Sequence, residues 1–184
     1  MRGRVWLAGA GLLALGGCNG QATEPVAPPE PSPLVLPVEP AAAAGGACRL
    51  LDFAVIAQTT GARFTVAVAT RHANTQTCVL QAGSSSRPDL ALSVTPTTAD
   101  AEVFADAMVP KGAQRVKALG KAAYRITTSP GQDHGPGVEV GWLSGDRRLI
   151  YLRYTFTAGQ NPPAAEAFAP KLVALAKKVD SRRL

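Results

Sequence analysis

The chain predicts an α+β fold: a mainly antiparallel, twisted sheet with helices packed on it. Three observations carry this. Short runs that alternate apolar and polar residues recur between Phe64 and Phe156, with the period of two expected of half-buried strands. The clearest pair, 138–143 and 147–156, is joined only by Ser144-Gly145-Asp146, a connection so short that the two strands must run antiparallel. Helical spacing appears in three places, each bounded by capping or breaking residues.

Taken in order, Asp52 is placed to cap a short helix over Phe53 to Thr60, and Gly61 to end it. Phe64, Val66 and Val68 then alternate with Thr65, Ala67 and Ala69, which reads as a strand. A turn at His72 to Asn74 leads to a second strand near Thr77 to Ala82. Ser84 to Pro88 reads as a loop, and Leu90, Leu92 and Val94 as a third strand closed by Pro96. Thr98 is the expected cap of a second helix starting at Ala99. Glu102 completes the capping pattern, and Val103, Phe104, Ala107 and Met108 share one face. Pro110-Lys111-Gly112 breaks this helix. Gln114 to Leu119 is a short extended piece, and Ala122 to Thr127 a strand with Tyr124 and Ile126 on one face. Ser129 to Gly137 is a polar loop before the hairpin. The second hairpin strand is apolar on both faces, as expected of a central strand covered on both sides. Asn161 caps a last helix with Pro162 at its first position. Phe168, Leu172, Leu175 and Val179 form its buried stripe, and Pro170 predicts a kink or a restart.

The N-terminal part has a different character. Arg2 and Arg4 precede an uncharged apolar stretch from Val5 to Leu15, followed by Leu15-Gly16-Gly17-Cys18. This is the layout of an export signal, and the run resembles a bacterial lipobox, in which the cysteine is lipidated and becomes the mature N-terminus. The apolar stretch is shorter than the ~20 residues of a transmembrane helix. The expected organisation is a signal over residues 1–17, a lipidated Cys18 with a Pro- and Ala-rich tether to residue 47, and one globular domain over 48–184. Two or three acyl chains hold a protein on a membrane stably. The tether has seven prolines between Pro25 and Pro40, a density that favours an extended polyproline II spacer.

With Cys18 lipidated, Cys48 and Cys78 remain in a compartment where disulfides persist, so they are expected to pair. No C-x-x-C motif or paired histidine accompanies them, which disfavours a metal or redox role. Aromatic residues make up only 5% of the chain, so aliphatic residues must supply most of the core. From Cys48 onward 17 Lys and Arg stand against 10 Asp and Glu, a surplus of seven positive charges. Outside a cell membrane such a domain faces anionic lipid headgroups and wall polymers rather than nucleic acid, and the same charges also serve as a solvating surface.

Cys48-Arg49-Leu50-Leu51, Gly61 at the first helix end, Cys78 soon after the first strand, and Leu119-Gly120-Lys121-Ala122-Ala123-Tyr124 at the turn into a strand resemble the pattern of a domain of unknown function found in small actinobacterial cell-envelope lipoproteins. The resemblance spans residues 47–184. It implies a lipoprotein with an intramolecular Cys48–Cys78 disulfide, and no particular activity. The chain departs from that pattern at Val79-Leu80, where an aromatic residue is common, and at Lys121, where an acidic one is.

Little points to catalysis. His72 and His134 are the two histidines, and Asp133 is adjacent to His134 in sequence, which rarely gives triad geometry. Ser84, Ser85 and Ser86 lack the Gly-x-Ser-x-Gly elbow. No phosphate loop, dinucleotide fingerprint or calcium loop is present, and no cofactor or metal is expected. The favoured function is a non-enzymatic binding module for an envelope lipid, glycolipid or wall component. Tyr124, Trp142, Tyr151 and Phe156 are the candidate lining of an apolar crevice, with Arg153 meeting an anionic head; the same aromatics also serve as plain core. The alternative is a subunit that docks on an envelope protein complex through a sheet edge or helix face, and a hydrolase ranks third. If Cys18 is the anchor, Cys18→Ser moves the protein from the membrane fraction to the soluble extracytoplasmic fraction, as read by fractionation and immunoblotting; an unchanged distribution overturns the anchor.

Overall fold

A computed structural model describes residues 38–83 and 85–182; the expected signal segment, Cys18 and most of the tether lie outside the described residues. The sheet has seven strands: β1 (Val66–His72), β2 (Thr75–Ala82), β3 (Ser85–Pro96), β4 (Gln114–Arg115), β5 (Ala122–Thr128), β6 (Gly137–Leu143) and β7 (Arg148–Thr155). Their spatial order is β1-β2-β3-β7-β6-β5-β4, and every neighbouring pair is antiparallel. Three helices, α1 (Phe53–Thr60), α2 (Ala101–Ala107) and α3 (Pro162–Asp180), complete the α+β architecture.

Alternation assigns the two faces. Leu90, Leu92 and Val94 of β3 stand opposite Tyr154, Leu152 and Ile150 of β7, which stand opposite Val138, Val140 and Trp142 of β6. These rows are buried under α3 together with Phe168, Leu172, Leu175 and Val179, the expected stripe. Helix α1 packs against α3. The other face is covered in part by α2, whose Phe104 packs with Tyr124 and Leu143 into a smaller core. Strand β7 lies between β3 and β6, as its two apolar faces require.

Local signals hold at most element ends. The Asp52 carboxylate accepts from the Ala54 and Val55 amides, and Gly61 ends α1 in the left-handed region at φ 82°. Asn161 accepts from the Ala164 amide, and Pro162 opens α3. At Gly120 φ is 55°, and an added Cβ would stand 2.3 Å from the Leu143 carbonyl oxygen. The Leu-Gly turn at 119–120 is therefore a site where β6 backbone passes too close for a side chain.

Five expectations are corrected. The described packing starts at Ala41 rather than Cys48: two short 3-10 helices, Ala41–Ala44 and Gly46–Leu50, bury Ala41 and Ala47 in the main core. Small residues at the end of the Ala-rich stretch let this segment lie close to β1 and β2. That also explains β1, whose inner positions belong to Ala67 and Ala69 while Val66 and Val68 are exposed. The strand starts at Val66 rather than Phe64, which is buried, precedes the paired ladder and does not share its alternation. Ser85 to Pro88 belong to β3 rather than to a loop. The α2 cap is Asp100 rather than Thr98, because its carboxylate reaches the Glu102 and Val103 amides; of the expected face, Phe104 is buried and Val103 is exposed. Helix α3 continues through Pro170 without a restart, carried by the packing of Leu172, Leu175 and Val179 beyond it.

Cys48, in the second 3-10 helix, is bonded to Cys78 on β2, with Cα atoms 5.0 Å apart and both residues fully buried. The bridge joins the entering segment to the sheet and closes a loop of 30 residues. In the chain-entropy account such a loop is worth roughly 3–4 kcal/mol. The Cys48→Ala/Cys78→Ala double variant should lose about that much unfolding free energy in urea, and added reductant should destabilise the natural chain but not the variant.

Candidate binding groove

The expected aromatic crevice does not form, because the five residues assigned to it divide between the two sheet faces. Trp142 is fully buried on the α3 side, and its indole Nε1 donates to Asp180 Oδ1 at 2.8 Å. Phe156 packs beside Tyr154 and Phe168, with ring centroids 4.8 and 5.4 Å away. Tyr124, Tyr151 and Arg153 lie on the opposite face. The Tyr124 ring covers the β6 backbone at Gly141, where an added Cβ would stand 2.5 Å from the ring. Its hydroxyl donates to Glu139 Oε1 at 2.7 Å. Burial, then the hydrogen bond and charge of Glu139, push the Tyr124 phenol well above its ordinary value; burial and Glu139 also raise Tyr151. Tyr124 and Tyr151 are thus parts of the small core under α2, while Arg153 is exposed beside them.

An open groove lies elsewhere, between the β4–β5 edge and α3. On the helix, Glu166, Ala169, Pro170, Val173 and Lys177 fall at helical spacing and line one wall. Lys111, Gln114, Arg115, Lys117, Arg125 and Thr127 line the other. The groove consists of two hollows that share Arg125. One, of about 260 Å³, is bordered by Lys111, Gln114, Thr127 and Glu166. The other, of about 360 Å³, is bordered by Arg115, Lys117 and Lys177 over a floor of Val116, Pro170 and Val173. Behind the strand, Arg115, Lys117 and Lys121 border a further hollow of about 320 Å³.

Local structure explains why cations gather here. β4 is only two residues long and forms the sheet edge, and Val116 extends its pairing by donating to the Ala123 carbonyl at 2.9 Å. Strand alternation then places the side chains of this edge segment on both sides of it. Arg125, the next strand inward, is steadied by donating to Gln114 Oε1 at 2.7 Å. Thr127 donates to Glu166 Oε1 at 2.6 Å and joins the two walls. Among the described residues the ion pairs are Arg87–Asp89 and Arg148–Asp146, so none of the groove's five cations is ion-paired within that range, and they outnumber its one lining carboxylate, Glu166. The arrangement can hold an extended anion at the surface.

Reading for ligand residues by aromatic content missed this site. A different signal was present: residues 111–125 contain five Lys and Arg and no Asp or Glu. Its partner wall on α3 is visible only once the helix is docked. Among the described residues no group of three or more His, Cys, Asp and Glu is placed to hold a metal ion, and no helix is long and apolar enough to cross a membrane. His72 is exposed at the end of β1, and the His134 ring pairs with the Gly135 carbonyl at 2.6 Å. No protein-family model, curated protein or solved structure matches the chain.

The buried phenols have a consequence for pH. Unfolded tyrosines ionise near pH 10, whereas Tyr124 and Tyr151 are held neutral by the fold. Their contribution is complete below that pH and is lost as pH rises above it. Urea midpoints should therefore fall above pH ~10. Tyr124→Phe should cost about 1 kcal/mol at neutral pH, through the lost bond to Glu139, and should make the alkaline loss shallower.

Proposed function

We propose that this protein is a lipoprotein tethered outside the cytoplasm through Cys18, and that its domain is a non-catalytic binding module for an anionic component of the cell envelope, a lipid headgroup or wall polymer. The observation that carries this reading is the groove between the β4–β5 edge and α3, where Lys111, Arg115, Lys117, Arg125 and Lys177 converge without ion-pair partners among the described residues. The buried Cys48–Cys78 bridge is in keeping with an oxidising compartment. A long Pro-rich tether gives the groove reach above its membrane. The ligand site is the groove and not the aromatic cluster, whose members fill two separate cores.

A second reading, docking of an envelope protein, has its own observation. β1 is an edge strand of seven residues, and Val66 and Val68 on it are 38% and 49% exposed. An open edge of this length is available for pairing with another chain.

The test uses the chain with Cys18→Ser, so that acyl chains do not obscure the result, with phosphatidylglycerol vesicles and purified anionic wall polymer as probes. At least one should bind, more weakly as salt rises. Lys117→Glu/Lys177→Glu should weaken binding about tenfold or more, since it replaces attraction with repulsion at both walls, while Val68→Glu should leave it unchanged. Binding that ignores the lysine reversal overturns the groove reading; loss of a crosslinked protein partner with Val68→Glu favours docking.

A further inference from the structure

We infer that the groove takes an anionic saccharide, a run of sugar units bearing carboxylate or phosphate groups, in preference to a bare polyanion. This rests on the reading of the groove as an anion site and narrows its ligand. The two ends of the groove differ chemically. At one end Arg115, Lys117 and Lys177 present only positive charge. At the other, Glu166 adds a carboxylate beside Lys111 and Arg125. A carboxylate repels a ligand that is negative along its whole length, so that end is built for something else.

What it offers is hydrogen-bonding capacity of both kinds. One Glu166 oxygen accepts from Thr127, and the other is an acceptor for a ligand hydroxyl. Gln114 Oε1 is occupied by Arg125, so what Gln114 offers a ligand is its amide nitrogen, a donor. Sugar hydroxyls donate and accept at once and match this set; phosphate oxygens only accept. The α3 wall from Glu166 to Lys177 spans eleven residues, roughly 16 Å at ~1.5 Å per residue. That is longer than one phosphate group and suits a chain of several rings. The floor of Val116, Pro170 and Val173 meets the C–H faces of such rings.

The experiment is calorimetric titration of the full chain, held in neutral phosphatidylcholine nanodiscs at fixed ionic strength. The probes are hexagalacturonate, a phosphorylated mannose oligosaccharide, and inorganic polyphosphate of matched charge. One or both saccharides should bind about tenfold more tightly than polyphosphate, in line with hydrogen bonds that only hydroxyls can complete. Which of the two binds tells carboxylate from phosphate recognition. Glu166→Ala should abolish the preference by weakening saccharide binding while strengthening that of polyphosphate. Lys117→Glu/Lys177→Glu should weaken all probes. Glu166 and both lysines are exposed, so these variants keep the fold. Equal affinity for polyphosphate and saccharides, or a preference that survives Glu166→Ala, overturns the saccharide inference and leaves the anion groove standing. Failure of every probe to bind overturns both.

Discussion

The side-chain rows Leu90–Tyr154–Val138, Leu92–Leu152–Val140 and Val94–Ile150–Trp142 run across three adjacent strands and enter one core under α3. A slip of one residue between β3 and β7, or between β7 and β6, would turn an entire strand's apolar set to the wrong face. Register is therefore strongly specified at the centre of the sheet, and other features follow from it. Trp142 must point to the α3 side, where the Asp180 carboxylate at the end of that helix satisfies its indole nitrogen. Tyr151, one residue from Ile150 and Leu152, must point to the other face and meets Tyr124 and α2 there.

The same constraint decides where a ligand can bind. With the aromatic residues committed to two cores, no crevice remains between them. The open space lies instead at the β4 edge, where the sheet ends in a two-residue strand and a groove is left beside α3. Lysine and arginine on an edge strand also discourage pairing with other sheets. That role accounts for Arg115 and its neighbours in the edge segment, but not for Lys177 on α3 or Arg125 inside the sheet, which complete the cationic walls. The opposite edge is less guarded: β1 is long, carries Arg71 only near its end, and its outward valines are exposed. The two edges thus have different characters, one charged and short, the other extended and apolar over its first half.

The entering segment shows how composition and packing work together. Ala41, Ala47 and Cys48 are small enough to pass close over β1 and β2, and the Cys48–Cys78 bond fixes that approach. The alanines of β1 face this segment and its valines face solvent, the reverse of what residue size alone predicts. Alternation specifies two faces but does not say which is inside. Size is a sound guide only where the covering layer has ordinary thickness, and here the layer is a close-lying turn.

What the sequence determined by itself was what depends on neighbours along the chain. The Asp52 and Asn161 caps, Gly61, the 144–146 turn, the strand alternation and the α3 stripe are all local, since each depends on backbone geometry within a few residues. The pairing of Cys48 with Cys78 was legible because no other partner remained for either. Tertiary structure alone decided which face each aromatic residue occupies, and that a charged stretch at 111–125 meets one stripe of α3 some fifty residues later. Those outcomes depend on which surfaces are brought together when the sheet closes under its helices, and a contact between distant segments leaves no periodic trace in either one.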